Sequence, residues 1–194
     1  RNSLIQVEYS FNLVWEKNCV EIMDNQLDVP LGILKLPVPL KEDYNRRQKL
    51  IELIEKPLWT ITGKCAKDTL IPDLVSICKV NDQHQFIIFD AKYYNAHLEK
   101  GIVPTGQPGI ESITKQYLYQ LAYQQFIEDH NFSSVKNCFL LPTENNEIED
   151  KGEVRMEMLS NLGLQDIKIR LIPATMAYDL YLSGSKMDME RLDL

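Results

Sequence analysis

Residues 70–94 read LIPDLVSICKVNDQHQFIIFDAKYY. Two runs rich in β-branched and aromatic residues, 70–80 and 85–94, flank a short polar stretch, and this pattern predicts a β-hairpin. Side chains alternate between the two faces of a strand, so Asp90 and Lys92 point to the same side. Asp73, near the start of the first strand, then lies across the hairpin from Asp90. The stretch predicts two carboxylates and an ammonium group converging from rigid elements.

This trio of side chains indicates a metal site. Two neighbouring carboxylates repel each other unless a cation neutralises them, and a hard oxygen-ligated ion such as Mg²⁺, with Mn²⁺ as a substitute, fits that role. Lys92 could then orient or help deprotonate an attacking water and stabilise charge on a phosphate. In the alternative interpretation, Asp90 and Lys92 simply end an edge strand and face solvent. Pro72-Asp73 and the hairpin spacing favour the site.

The rest of the chain alternates helical and extended patterns. Helices are predicted over residues 11–27, about 43–55, 112–130 and 174–184. Strands are predicted over residues 58–62, 70–80, 85–94, 135–142 and 166–173. Three segments read as connections: 28–40, the Gly- and Pro-rich 101–109, which we expect to be the most flexible, and the acidic 143–153, expected to be a solvated loop or a short excursion. This order predicts an α/β domain with a mixed β-sheet flanked by helices.

The composition constrains the function classes. The 194 residues suit a single domain, and a net charge of −7 means that any contact with nucleic acid needs a local patch, metal ions or another domain. Basic residues that could form such a patch are Lys64, Lys67, Lys92, Lys100, Lys115, Arg46 and Arg47. The scattered cysteines suit reduced thiols in the cytoplasm. No apolar run reaches the roughly 18 to 20 residues that cross a membrane.

The hairpin stretch resembles the PD-(D/E)xK signature of restriction-endonuclease-like nucleases. Pro72-Asp73 corresponds to its first half and Asp90-Ala91-Lys92 to its second. FDAKYY and KQYLYQLAY (115–123) also resemble the nuclease subunits of McrC-like restriction systems, and the LlaJI-type restriction endonucleases most closely. The resemblance spans about residues 10–140. It implies a restriction-endonuclease-like fold, a nuclease domain over 1–194 that forms the C-terminal part of a longer protein, and Mg²⁺-dependent hydrolysis of double-stranded DNA.

The resemblance also implies roles for particular residues. Asp73, Asp90 and the Ala91 carbonyl would hold the metal, with Glu16 on the first helix as a further ligand. Glu16 could instead be a solvated helix charge. A glutamine near the active centre is expected on the helix after the hairpin. Gln120, which reaches Tyr123 three residues on, fits that pattern more closely and Gln116 is second; both could instead be ordinary amides on a partly wet helix.

Partners follow from the same resemblance. The chain contains no GxxxxGK[ST] loop, so an McrB-like NTPase subunit would supply nucleotide hydrolysis. Cutting both strands of DNA needs two active sites, which implies a dimer or larger assembly. Two alternatives stay open: a nuclease of repair or mobile-element type, and a catalytically silent nuclease-fold module that binds DNA or a partner subunit.

Overall fold

The computed structural model describes the backbone of residues 2–194 and the side chains of residues 11–194. The helices are α1 (Asn2–Ile22), α2 (Ile110–Asp129) and α3 (Ala174–Ser183). The strands are β1 (Leu58–Trp59), β2 (Lys64–Cys65), β3 (Leu74–Val80), β4 (Gln83–Ala91), β5 (Ser134–Thr143), β6 (Glu149–Val154) and β7 (Ile167–Pro173). No helix in this described part of the chain has the length and apolarity that a membrane span requires.

Five strands form one mixed sheet in the order β3-β4-β5-β7-β6. The three central strands β4, β5 and β7 run parallel, and the outer strands β3 and β6 are antiparallel to their neighbours. The carboxyl ends of β4, β5 and β7 therefore meet at one edge of the sheet, where ligands of open α/β sheets commonly bind. We call this the C-terminal edge. The predicted α/β class is confirmed.

Helices and irregular segments cover both faces of the sheet. Phe86 and Ile88 of β4 pack in one hydrophobic cluster with Tyr123 of α2 and with the irregular segment 27–54. Ile87 and Phe89 face the opposite cluster, to which α1 and α3 contribute. Because side chains alternate along a strand, Asp90 shares the α2 face with Phe86 and Ile88. Burial on both sides explains why β4 is an almost continuous apolar run.

The predicted hairpin is confirmed, with a tighter turn than the polar stretch suggested. β3 and β4 pair from Val80↔Gln83 to Leu74↔Phe89. Asn81 and Asp82 occupy the turn with positive φ values of 49° and 63°. Two successive positive φ values are typical of the hairpin turns that match strand twist, and Asn and Asp tolerate them well. The register places Asp73 directly beyond the last pair, level with Asp90.

The helix predicted over about 43–55 is wrong. Apart from a short 3₁₀ turn at Leu50–Leu53, this segment is irregular. Its backbone instead bonds to the segment 27–32, as in the hydrogen bonds from Leu50 N to Val29 O (3.1 Å) and from Leu31 N to Gln48 O (2.8 Å). The Asn45 side chain accepts from Arg47 N, a local bond that competes with helix formation. Leu50 and Ile54 are buried and lie four residues apart, so the apolar spacing resembles that of a helix although the segment forms none.

Two extended segments also differ from the expectation. Only Leu58–Trp59 of the strand predicted over 58–62 is paired, with Lys64–Cys65, and this small hairpin is exposed. The stretch 143–153, expected to be a loop, contributes β6 at the sheet edge. An edge strand with one solvent-facing side accommodates charged residues, which is why β6 has the composition of a loop.

Backbone hydrogen bonds close the Gly- and Pro-rich connection after β4 near its start. His97 and Thr105 exchange two backbone hydrogen bonds of 2.9 and 3.3 Å. Gly106 has a φ of +65°, and a Cβ at this position would lie 2.3 Å from the Asn95 carbonyl oxygen. Only glycine permits this close approach, which holds the loop against the C-terminal edge.

Candidate active site

Asp73, Asp90 and Lys92 meet at the C-terminal edge. The Lys92 Nζ lies 2.5 Å from an oxygen of Asp90 and 3.6 Å from an oxygen of Asp73. The Asp73 carboxylate also accepts the backbone N–H of Ala91 at 2.9 Å. Asp90 is buried, with 5% of its surface exposed. The hairpin therefore brings the three side chains together as its spacing predicts, while their catalytic roles stay a prediction.

The electrostatics of the site reflect a shortage of positive charge. Burial, a hydrogen bond with Asp73 and the charge of Asp73 raise the pKa of Asp90 to about 8, although Lys92 opposes the shift. Burial alone would lower the pKa of Lys92, but Asp90 and Asp73 outweigh it and raise the pKa. The pair of carboxylates therefore holds Lys92 protonated and retains a proton near neutral pH. A divalent cation would remove the need for that proton.

Helix α1 is anchored beside this trio. The buried Trp15 indole donates to the Leu140 carbonyl at 3.1 Å, and the backbone N–H of Lys92 donates to the same oxygen at 2.9 Å. Glu16, the next residue of α1, is partly buried. Its pKa is raised by burial and by the charge of Asp73, whereas Lys92 lowers it. Glu16 thus lies within electrostatic reach of Asp73 and Lys92.

The Ala91 carbonyl points towards the same edge as Asp73. In an extended strand the N–H and C=O groups of one residue point to the same side. The N–H of Ala91 faces Asp73 and the following N–H, that of Lys92, faces β5. The Ala91 oxygen therefore faces the same side of β4 as its N–H, towards Asp73. This is the orientation that a backbone metal ligand would need.

The donor set suits a magnesium ion. No group of three or more His, Cys, Asp or Glu side chains in the described residues is gathered closely enough to hold a metal. The site instead offers two carboxylates and a backbone oxygen, with Glu16 nearby. Mg²⁺ usually binds through one or two carboxylates and keeps several waters, so these oxygens fit it, and the proton retained by Asp90 marks the charge that an ion would replace.

The two glutamines of α2 contact different parts of the sheet. The Gln116 amide is fully buried and donates to the Ile88 carbonyl at 2.7 Å, two residues before Asp90. The Gln120 oxygen accepts from Asn137 at 2.6 Å and from the Gln165 N–H at 3.0 Å. In the described residues, neither amide bonds to a carboxylate of the site. Gln116 thus supports the strand that carries Asp90, and Gln120 supports β5.

Tyr119 is a residue near the site that the sequence interpretation missed. It is buried on α2, and its pKa is raised to about 12 by burial and by the charges of Asp90 and Asp73. It follows Gln116 by three residues, so the two share a helix face. This three-residue spacing from Gln116 is the feature of the sequence that could have identified Tyr119. Glu111 lies in the first turn of α2, and its pKa is lowered by its ion-pair partner Lys115 and, to a smaller extent, by Lys92. This turn of the helix is therefore also near the site.

The chain matches the family model described as LlaJI restriction endonuclease over residues 6–179. The chain belongs to this family. The resemblance to the LlaJI-type restriction endonucleases is thereby confirmed.

The chain is also similar to a described protein. Over 98% of its length the chain is 28% identical to a Bacillus subtilis (strain 168) protein described as the type II restriction enzyme BsuMI component YdjA. It spans 36% of that relative's length. No solved structure matches the chain.

Proposed function

We propose that the chain is a Mg²⁺-dependent endonuclease domain that hydrolyses phosphodiester bonds of double-stranded DNA as the cleavage part of a restriction system. The observation that carries this proposal is the meeting of Asp73, Asp90 and Lys92 at the C-terminal edge, with Lys92 within 3.6 Å of both acids. Membership of the LlaJI family supports the restriction role.

Each residue of the site has a distinct role in the proposal. Asp73, Asp90 and the Ala91 carbonyl would hold Mg²⁺, and Glu16 would approach as a further ligand. The bound ion would supply positive charge for a phosphate oxygen and lower the pKa of an attacking water. Lys92 is held protonated by its acidic neighbours, so it acts as a hydrogen-bond donor that orients the water or stabilises developing negative charge.

Helix α2 supports the site from the sheet face that carries Asp90. The bond from Gln116 to the Ile88 carbonyl fixes the strand just before Asp90. Tyr119 adds a buried phenol close to the two acids. The bond from Gln116 restricts the strand that carries Asp90, which helps a rigid site keep its reacting groups aligned.

The proposal extends to partner molecules. The relative is described as a component of its restriction enzyme. We expect this chain to act likewise with other components, among them an McrB-like NTPase, and as a dimer or larger assembly when it cuts both strands. The net charge of −7 favours such help, because the chain by itself repels DNA at long range.

Plasmid nicking tests the proposal. The wild-type chain should nick supercoiled DNA with Mg²⁺ or Mn²⁺, whereas Asp90→Ala and Lys92→Ala should each lower the rate by about 10²- to 10³-fold. Asp82→Asn and Lys79→Ala are matched controls, since this ion pair lies on the same hairpin but at the far, exposed end, and asparagine tolerates the positive φ of position 82. Circular dichroism would confirm that each variant folds. A wild-type chain no more active than Asp90→Ala would identify a silent module instead.

A further inference from the structure

A cleft of about 510 Å³ opens beside the candidate active site. Tyr93 and Tyr94, which directly follow Lys92, line it together with residues from the end of β5 to the start of β6. These are Thr143 at the end of β5, Glu144 and Asn145 of the following turn, and Glu149 of β6. The cleft thus lies at the C-terminal edge, where duplex DNA must pass if Lys92 is to reach a phosphate. The proposed chemistry makes no use of it.

Glu149 organises the polar side of this cleft. One of its oxygens accepts from the Thr143 hydroxyl at 3.1 Å and from the Asn145 amide at 2.7 Å. Its other oxygen pairs with Lys151 at 2.9 Å. The bond from Asn145 and then Lys151 lower the pKa of Glu149. Glu149 is therefore ionised and largely occupied by its own neighbours, which suits it to holding Asn145 in place.

Asn145 retains hydrogen-bonding capacity after this contact. An asparagine amide carries two N–H donors and one oxygen acceptor. One N–H binds Glu149, and the side chain makes no other hydrogen bond to the described residues. Asn145 is exposed. It therefore presents a donor and an acceptor to the cleft, which matches the N7 acceptor and N6 amino donor on the major-groove edge of adenine.

The charges in the cleft favour a base edge over the DNA backbone. Glu99 and Glu144 also line it, and with Glu149 they outnumber Lys151. Acidic side chains repel phosphates, whereas they accept hydrogen bonds from the amino groups of bases. The rings of Tyr93 and Tyr94 add apolar surface, and both are more than a third exposed. The cleft is thus suited to sequence readout.

We infer that Asn145, held by Glu149, is a specificity-determining residue that reads an adenine in the major groove of DNA beside the candidate active site. This inference rests on the proposed function, because it requires the duplex to lie along the C-terminal edge. Glu149 acts as a positioning residue.

A binding selection from randomised duplexes, in Ca²⁺ so that cleavage is not required, tests the inference. The wild-type chain should enrich adenine at one position, and Asn145→Ala should reduce that preference by about 5- to 150-fold while preferences elsewhere persist. Asn146→Ala, a change of the neighbouring asparagine that does not line the cleft, should keep the wild-type preference. Glu149→Ala should weaken the adenine preference at the same position. Glu149→Gln, whose amide oxygen can still accept the hydrogen bond from Asn145, should retain most of that preference.

Several results would overturn the inference. The first is a wild-type chain that enriches no sequence in the selection. The second is an Asn145→Ala variant whose base preferences are the same as those of the wild type. The third is an Asn145→Ala variant that binds every sequence more weakly by the same factor. The nicking assay is separate: absent cleavage with an intact adenine preference would refute the proposed hydrolysis and leave the readout standing.

Discussion

Three buried amides, Gln116, Gln120 and Asn137, join α2 to the two strands beneath it. Gln116 donates to the Ile88 carbonyl of β4 and, at 3.4 Å, to the Asn137 oxygen. Asn137 of β5 donates in turn to Gln120 at 2.6 Å. Buried amides are costly unless they are bonded, so this connected series restricts α2 to one position over the sheet. The series thereby joins α2 to both β4 and β5.

Replacing Gln120 tests whether its role is structural. Gln120→Leu removes the acceptor of Asn137 and of the Gln165 N–H, and we expect the free energy of unfolding to fall by about 1–3 kcal/mol. Nicking per folded molecule should stay at the wild-type rate. Urea denaturation measures the first quantity and the plasmid assay the second. Gln124→Leu, on the exposed face of α2, should change stability by less than about 0.5 kcal/mol. Unchanged stability with lost nicking would instead place Gln120 in the chemistry.

At the scale of elements, the irregular segment 27–54 depends on α2 for its attachment. Tyr44 donates its hydroxyl to Asp129 at 2.8 Å, and Lys41 forms an ion pair with the same carboxylate. The Lys41 backbone N–H also donates to the His130 ring at 3.3 Å. Lys41 first and Tyr44 second lower the pKa of Asp129 to about 2. A segment without regular structure is thus held by side chains at the end of a helix.

Asp129→Asn should destabilise the protein in a pH-dependent way. The usual pKa of 3.8 falls to about 2 in the folded state, so the ionised carboxylate favours folding at pH values above about 4. That contribution disappears as the pH falls towards 2. Denaturation midpoints of wild type and variant should therefore differ at pH 7 and converge near pH 2. Asp28→Asn, which alters an ion pair with the exposed Lys49, is the control. An equal difference at both pH values would contradict this assignment.

At the scale of the whole molecule, the candidate site occupies one edge of a sheet covered on both faces. Among the described residues, Lys92 is the one lysine that lies within 4 Å of two acids, and in the proposed function one such site would cut one DNA strand at a time. The net charge of −7 gives the chain little general attraction for DNA. Double-strand cleavage therefore requires a second copy or another component to present a second site.

This requirement predicts different concentration dependences for the two products of plasmid cleavage. Formation of nicked circles should rise linearly with the concentration of the chain, whereas direct formation of linear DNA should rise more steeply, because two copies must meet on one duplex. A titration of the chain followed on agarose gels measures both. Linear product that rises in strict proportion to the nicked product, from a chain that stays monomeric on DNA, would contradict the prediction.

The sequence by itself determined the hairpin of β3 and β4, helix α2 and the meeting of Asp73, Asp90 and Lys92. These features depend on strand alternation, on helix periodicity and on a two-residue turn, all of which act over short stretches of chain. Together with the resemblance it carries, the pattern was enough to recognise the family.

Only the tertiary structure decided the rest. It set the irregular path of residues 43–54, the edge position of β6, and the approach of Glu16 and Tyr119 to the candidate site. In each case the conformation depends on contacts between distant segments, as between Trp15 and Leu140. Local propensity is weaker than the burial and hydrogen bonding that such contacts supply, so a short window of sequence does not reveal them.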